Sequence, residues 1–207
     1  MKREDQKRNK DLQKNLSVIL KECPLKYKEE KLKKIDYMLW LTRKNMIFEF
    51  FPRVCIREND LKPILSIRIS YKPLWADDLL WDILGMESNK QEPNSLRVIG
   101  AFTAVSARYD DYLIELQAED IDSVKAILFE KIEDFLKKVD EVDESQYVNQ
   151  IIGSDLIRDM DKALVYIYLQ RIEEAKSIII SSKDSGRFVI GEKNYRELML
   201  EYLVRMG

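Results

Sequence analysis

Asp78 and Asp82 stand four residues apart with Asp77 beside them, and carboxylates at that spacing share one face of a helix. Hard oxygen ligands so placed can hold a divalent cation, or work as a general acid and base. No second carboxylate motif of defined spacing accompanies them, so no metal is expected. The plainer role is favoured, a helix start whose aspartates complement the dipole. The chain contains no histidine, which removes the commonest general base and the commonest metal ligand together and closes Ser-His-Asp, Cys-His and histidine-zinc chemistry. Cys23 and Cys55 are the only cysteines; they make neither a disulfide framework nor a metal cluster and are read as reduced. There is no glycine-rich phosphate loop, dinucleotide fingerprint or CxxC pair. No catalytic residue and no cofactor is expected.

The stretch that must position these aspartates runs from Tyr71 to Leu84. Before it, Leu65, Ile67, Ile69 and Tyr71 alternate with Ser66, Arg68 and Ser70, the two-residue repeat of a strand with one face buried. Pro73 has no N–H and ends that ladder. Leu79, Leu80, Ile83 and Leu84 then follow helical spacing, and Gly85 suits the C-terminal stop. The segment reads as strand, sharp exit and helix. A groove is expected at this corner, beside the polar loop 86–93. Its binding candidates are Trp75, Asp77, Asp78 and Asp82, with Asn89 in the loop and Arg97 beyond it. Trp81 is expected in the core; Trp75 is left open as a stacking platform.

The 207 residues suffice for one large domain, or for one domain with an appendage. With 35 basic against 37 acidic side chains the net charge is −2, so no global field points to nucleic acid, which is disfavoured as a partner. Six glycines and five prolines argue against many tight turns, and helix should dominate. Met1-Lys2-Arg3-Glu4-Asp5 leads into a charged helix rather than an apolar signal core, and no apolar run is long enough to span a bilayer. A soluble, cytoplasmic protein with no membrane contact is expected.

Along the chain, Leu12, Leu16, Ile19 and Leu20 predict a helix over 5–22, closed by Cys23-Pro24. Residues 1–34 hold twelve basic and six acidic side chains. That excess suits a patch for phosphates or an acidic partner, but a solvated helix face is the preferred reading. Strands are expected over 36–42 and 46–56, joined by a turn at Arg43-Lys44-Asn45, with Pro52 marking a bulge or edge. A turn at 57–60 leads to a third strand over 64–71. Further strands are expected over 95–106 and 109–117, Gly100 marking a bulge or close approach. From Asp120, Val124, Ile127, Leu128, Ile132, Phe135, Leu136 and Val139 hold one helical stripe. Residues 110–144 hold thirteen acidic and four basic side chains, so this helix should lie near the basic N-terminal segment. Helices around 156–168, 172–179 and 195–203 follow, the first two as an antiparallel hairpin. The fold class is therefore α+β, an antiparallel sheet of four to five strands packed by helices, with a C-terminal helical hairpin plus one further helix. An α+β domain over 1–150 and a helical extension over 151–207 packed on it are expected.

Three resemblances bear on function. Asp110, Asp111 and Glu115-Leu116-Gln117 loosely resemble the restriction-endonuclease-like nucleases. That family needs an acid on one strand and a carboxylate-x-lysine pair on the next; here the spacing is tighter and Gln117 stands where lysine belongs, so two-metal hydrolysis lacks its ligands. The run Ala163 to Lys176 resembles a tetratricopeptide helix pair, implying a protein-binding surface, but one copy is no array. Packing on the domain's own core is preferred for it. Lys72-Pro73, then Trp75 to Ile83, then Gly100-Ala101-Phe102-Thr103 resemble the arrangement in bacterial α+β domain-of-unknown-function families. Some proteins of this style resemble immunity proteins that neutralise a toxin of the same cell. The likeness covers residues 5–140, and no functional residue is carried over from it. Together with the missing catalytic inventory and the uneven charge, it points to a bacterial, non-catalytic module that binds another protein, such as a toxin-neutralising immunity-type protein. The alternative is a carboxylate-dependent hydrolase or nucleic-acid-acting enzyme.

Overall fold

The computed structural model describes residues 3–57, 59, 62–117 and 120–206. Among them the protein is α+β, with eight α-helices and one five-stranded antiparallel sheet of order β1-β2-β3-β4-β5; helix holds 53% and strand 22%. No helix among the described residues is long and apolar enough to cross a membrane. Contacts divide the chain into two compact units, residues 1–71 with 108–142 and residues 72–107 with 143–207. The division interleaves the sequence, whereas the boundary expected at residue 150 cuts it once.

The first unit opens with α1 (Arg3–Lys26). The helix does not stop at Cys23-Pro24 as expected, because Pro24 falls in its last turn and the ladder continues past it, Tyr27 N–H donating to the Cys23 carbonyl at 2.9 Å. Leu12, Leu16, Ile19, Leu20 and Cys23 are buried, and full burial of each leucine or isoleucine contributes about 1.5–3 kcal/mol over exposure. β1 (Lys33–Ile35) and β2 (Met38–Arg43) replace the single strand expected over 36–42, because Asp36 takes a left-handed φ of 46° and turns the chain. Lys44 and Asn45, both at positive φ, form the two-residue turn into β3 (Met46–Ile56), the type I′ geometry whose twist matches its strands. The β2–β3 ladder ends at Leu39↔Phe50, so Pro52 lies past it and forfeits no bond to β2. In the turn expected at 57–60, Glu58 and Asp60 lie outside the described residues.

β4 (Pro63–Pro73) buries Leu65, Ile67, Ile69 and Tyr71, as their alternation implies. β5 (Ala107–Glu115) closes the sheet. α4 (Ile121–Leu136) follows; its N-cap Asp120 accepts from the Ser123 amide. Val139, expected within this helix, falls in a 3-10 turn after it. Phe135 of α4 meets Phe48 and Phe50 of β3 at ring distances of 5.4 and 4.7 Å, and Tyr109 of β5 at 5.2 Å. α1 packs on β3 and α4. Lys26 pairs with Glu133 at 2.8 Å and Glu22 with Lys125, so the basic N-terminal helix does lie against the acidic one.

In the second unit, α2 (Leu74–Leu84) is followed by a 3-10 turn (Glu87–Gln91) within the loop expected over 86–93. α3 (Ser95–Ile99) stands where a strand was expected over 95–106. Leu96, Val98, Gly100 and Phe102 alternate, but the chain coils after Pro93 and then runs irregularly to β5. α5 (Glu144–Gly153), which the periodicity did not single out, starts at Asp143, whose side chain accepts from the Gln146 amide. α6 (Asp159–Tyr168) and α7 (Ile172–Ser181) form the expected hairpin, with Gln170 at φ 58° between them. A two-residue ladder of β6 (Val189–Ile190) and β7 (Lys193–Asn194) precedes α8 (Tyr195–Met206). α2 packs on α6 and α8.

Candidate functional site

Pro73, at φ −73° and ψ 152°, is the N-cap of α2 and turns the extended backbone into the helix. Trp75, Asp78, Leu79 and Asp82 follow at i, i+3, i+4 and i+7, a single helix face, and all four are half-buried. Ala76, Asp77, Leu80 and Trp81 face the interior. The expectation that Asp78 and Asp82 share a face therefore holds. Asp77, one residue off that spacing, points the other way. Gly85 ends the helix at φ 71°, donating its N–H to the Asp82 carbonyl.

The open face of α2 lines a hollow of about 320 Å³ together with Tyr168 of α6 and Tyr202 and Met206 of α8. Trp75 and Tyr168 stack with ring centres 3.6 Å apart and planes within 1°. Glu144 at the start of α5 holds both rings by one oxygen: Trp75 Nε1–H donates to its Oε2 at 3.2 Å and Tyr168 Oη–H at 3.0 Å. Burial, and then the bond to Glu144, keeps the Tyr168 phenol above its usual range. Tyr147 of α5 meets Trp75 edge-on at 5.7 Å. The carboxylates of the hollow have partners already: Asp78 Oδ1 accepts from Arg97 Nη2 at 2.6 Å, and Asp82 pairs with Lys90.

Asp77 is 0% exposed. Its Oδ1 accepts from Lys72 Nζ at 2.9 Å and from the Ala104 amide at 2.7 Å. Burial pushes this carboxyl upward against the opposing pull of Lys72. Arg97, also buried, donates to the Leu74 carbonyl at 2.9 Å and lies 4.6 Å from the Trp81 ring centre. Asn89 does not join the hollow; its amide closes the 3-10 turn by donating to the Met86 carbonyl at 2.9 Å. Of the six binding candidates the hollow thus gathers Trp75, Asp78 and Asp82, with Arg97 behind Asp78, while Asp77 is sealed beneath and Asn89 stands apart. Among the described residues, no three of Cys, Asp and Glu group to hold a metal ion.

The irregular segment after α3 is held in an unusual way. Four successive carbonyls accept from side chains: Phe102 from Trp81 Nε1 at 2.6 Å, Thr103 from Arg187, Ala104 from Lys72 Nζ at 3.3 Å, and Val105 from Tyr147 Oη at 3.0 Å. Only the Ala104 carbonyl is buried and needs such a partner; the other three are partly or fully open to water. The sequence assigns no binding role to Lys72, Glu144, Tyr147, Tyr168 or Tyr202. The one available signal was Asp143-Glu144-Ser145-Gln146, a helix-start pattern that places Glu144 in a first turn. Comparison of the chain with protein-family models, curated proteins and solved structures finds no match.

Proposed function

We propose that this chain is a non-catalytic protein-binding module, of the kind that neutralises a toxic partner inside a bacterial cell, and that the Trp75 hollow receives an anchoring side chain of that partner. The observation that carries this reading is the Glu144 clamp. It fixes two stacked aromatic rings at the wall of an open hollow, and such rigid aromatic surface is what protein interfaces use as anchors. The three aspartates of α2 are engaged within the fold. Asp77 is out of reach of any substrate, and Asp78 and Asp82 are held by Arg97 and Lys90. Hydrolysis by carboxylates alone needs a convergent, accessible pair.

The test is affinity capture from extracts of the native cell, with wild-type chain and with Trp75→Ala, followed by reconstitution from the purified proteins. One stoichiometric partner is expected, held by the wild type and released by the variant, and co-expression with the chain should relieve any toxicity of that partner. Trp75→Phe, which retains an aromatic face, should keep most of the binding. A hydrolytic activity of the pure chain that disappears in Asp78→Asn or Asp82→Asn would overturn the reading.

A further inference from the structure

We infer that the solvent face of α1 is a docking surface for an acidic strip on a protein partner; this rests on the protein-binding reading above and adds the partner's chemistry. Lys7, Lys10, Lys14 and Lys21 are all exposed. At about 100° per residue they fall within an arc of about 60°, a stripe roughly 21 Å long at about 1.5 Å per residue. None of the four has an ion pair or hydrogen bond among the described residues. Glu4 and Asp11 border the stripe, at i,i+3 or i,i+4 from Lys7 and Lys14, yet form no ion pair with any of the four. The contrast lies on the same helix. Where α1 meets α4 its charges are matched, Lys26 to Glu133 and Glu22 to Lys125. On the outer face they are left unmatched, although the chain has 37 acidic residues to draw on.

Lys7 and Lys10 are like charges at i, i+3, and Lys10 and Lys14 at i, i+4, arrangements that weaken an isolated helix. An acidic counterpart would relieve that repulsion, and the surface is built to be complementary to one. Two apolar side chains decide what kind of acid. Val18 is 43% exposed and Leu25 80%, and both fall on the lysine face, widening the arc to about 80°. Apolar groups interleaved with lysines suit a protein surface, where contact area adds to charge. A phosphate backbone makes no use of them. A bilayer would demand the continuous apolar stripe, and on α1 that stripe of Leu12, Leu16, Ile19 and Leu20 is already buried. Beside the stripe, Lys10, Lys14 and Ser17 of α1 and Tyr37 of the β1–β2 turn line a shallow groove; Tyr37 is 58% exposed and offers a further contact.

The experiment compares wild type with the charge reversal Lys7→Glu, Lys10→Glu, Lys14→Glu and Lys21→Glu. The probes are a labelled helical peptide of glutamate and leucine, a duplex DNA of similar length, and phosphatidylserine vesicles. The wild type should bind the peptide in preference to the other two, losing about tenfold in affinity between about 50 and 200 mM salt as screening grows. The reversal should abolish peptide binding, whereas the neutral set Lys7→Gln, Lys10→Gln, Lys14→Gln and Lys21→Gln, which removes the like-charge contacts between the lysines, should weaken it while leaving the circular dichroism and melting temperature no lower. Equal binding by both forms, or tighter binding to DNA or vesicles than to peptide, overturns the inference. Failure here is separable from failure of the broader reading. Partner capture that survives the four reversals sinks the α1 assignment alone; capture of nothing by either form sinks the protein-binding reading and the assignment with it.

Discussion

Removing the carboxylate of Asp77 should be among the most damaging single changes in the second unit. In Asp77→Ala the Lys72 ammonium, 1% exposed, keeps only the Ala104 carbonyl at 3.3 Å. Breaking a buried ion pair from one side costs about 3–5 kcal/mol. The Ala104 amide loses its acceptor as well, which costs about 1–3 kcal/mol where water does not replace it. Because both penalties arise at one atom, Oδ1, they overlap, and a total of about 4–6 kcal/mol is expected. Asp77→Asn keeps an oxygen for the amide and should lose about half of that. Pairing it with Lys72→Met removes both charges and should recover part of the loss, because an uncharged pair has no desolvation penalty. Urea unfolding followed by tryptophan fluorescence reads these differences, since Trp75 and Trp81 both lie in this unit. A loss below about 1 kcal/mol for Asp77→Ala, or a double variant as unstable as the sum of its parts, would refute the account of a buried, mutually dependent pair.

Three further outcomes follow from other parts of the molecule. Asp161 of α6 has 8% side-chain exposure and faces Arg187 at 3.5 Å; burial raises its carboxyl above the usual range, so its contribution to stability is full below the unfolded value of about 3.9 and is lost as pH rises through the folded value. The urea midpoint of Asp161→Asn relative to wild type should therefore climb from acid toward neutral pH, and a flat or falling difference would contradict the sign. The Cys23 thiol is pushed up to about 12 by burial, so iodoacetamide should leave it intact in the native protein and alkylate the half-buried Cys55 first; mass spectrometry of the peptides distinguishes the two sites. A Cβ at position 100 would stand 2.4 Å from the Leu96 carbonyl oxygen, a backbone atom, so Gly100→Ala should cost about 1–3 kcal/mol and lower the melting temperature measurably.

The corner was legible because three independent signals agreed there. Leu65, Ile67, Ile69 and Tyr71 set the strand face, Pro73 the exit, and Gly85 the stop, and each does in the structure what its chemistry requires. The α6–α7 hairpin was legible for a similar reason, its periodicity interrupted only near Gln170. The segment from Ser95 to Ser106 was misread because a period of two across four residues cannot separate a strand from a short helix followed by an irregular run. The carbonyl donors that settle the matter come from residues up to 84 positions away, and no local pattern encodes them. For the hollow, spacing alone gathered Trp75, Asp78 and Asp82. It could not reveal that Tyr168 stacks on Trp75 or that Glu144 grips both, since those contacts are made by helices brought together only in the folded chain.

The run of four carbonyls from Phe102 to Val105 has a bearing on the order of assembly. Trp81, Arg187, Lys72 and Tyr147 belong to parts of the sequence that close loops of very different length, so the four contacts cannot all be in place until the last of these donors arrives. The run should therefore ripen late, and a chain cut short before Arg187 would leave the Thr103 oxygen without its donor. Variants of Arg187 would then act chiefly on the unfolding limb of a chevron, leaving the refolding limb close to that of the parent.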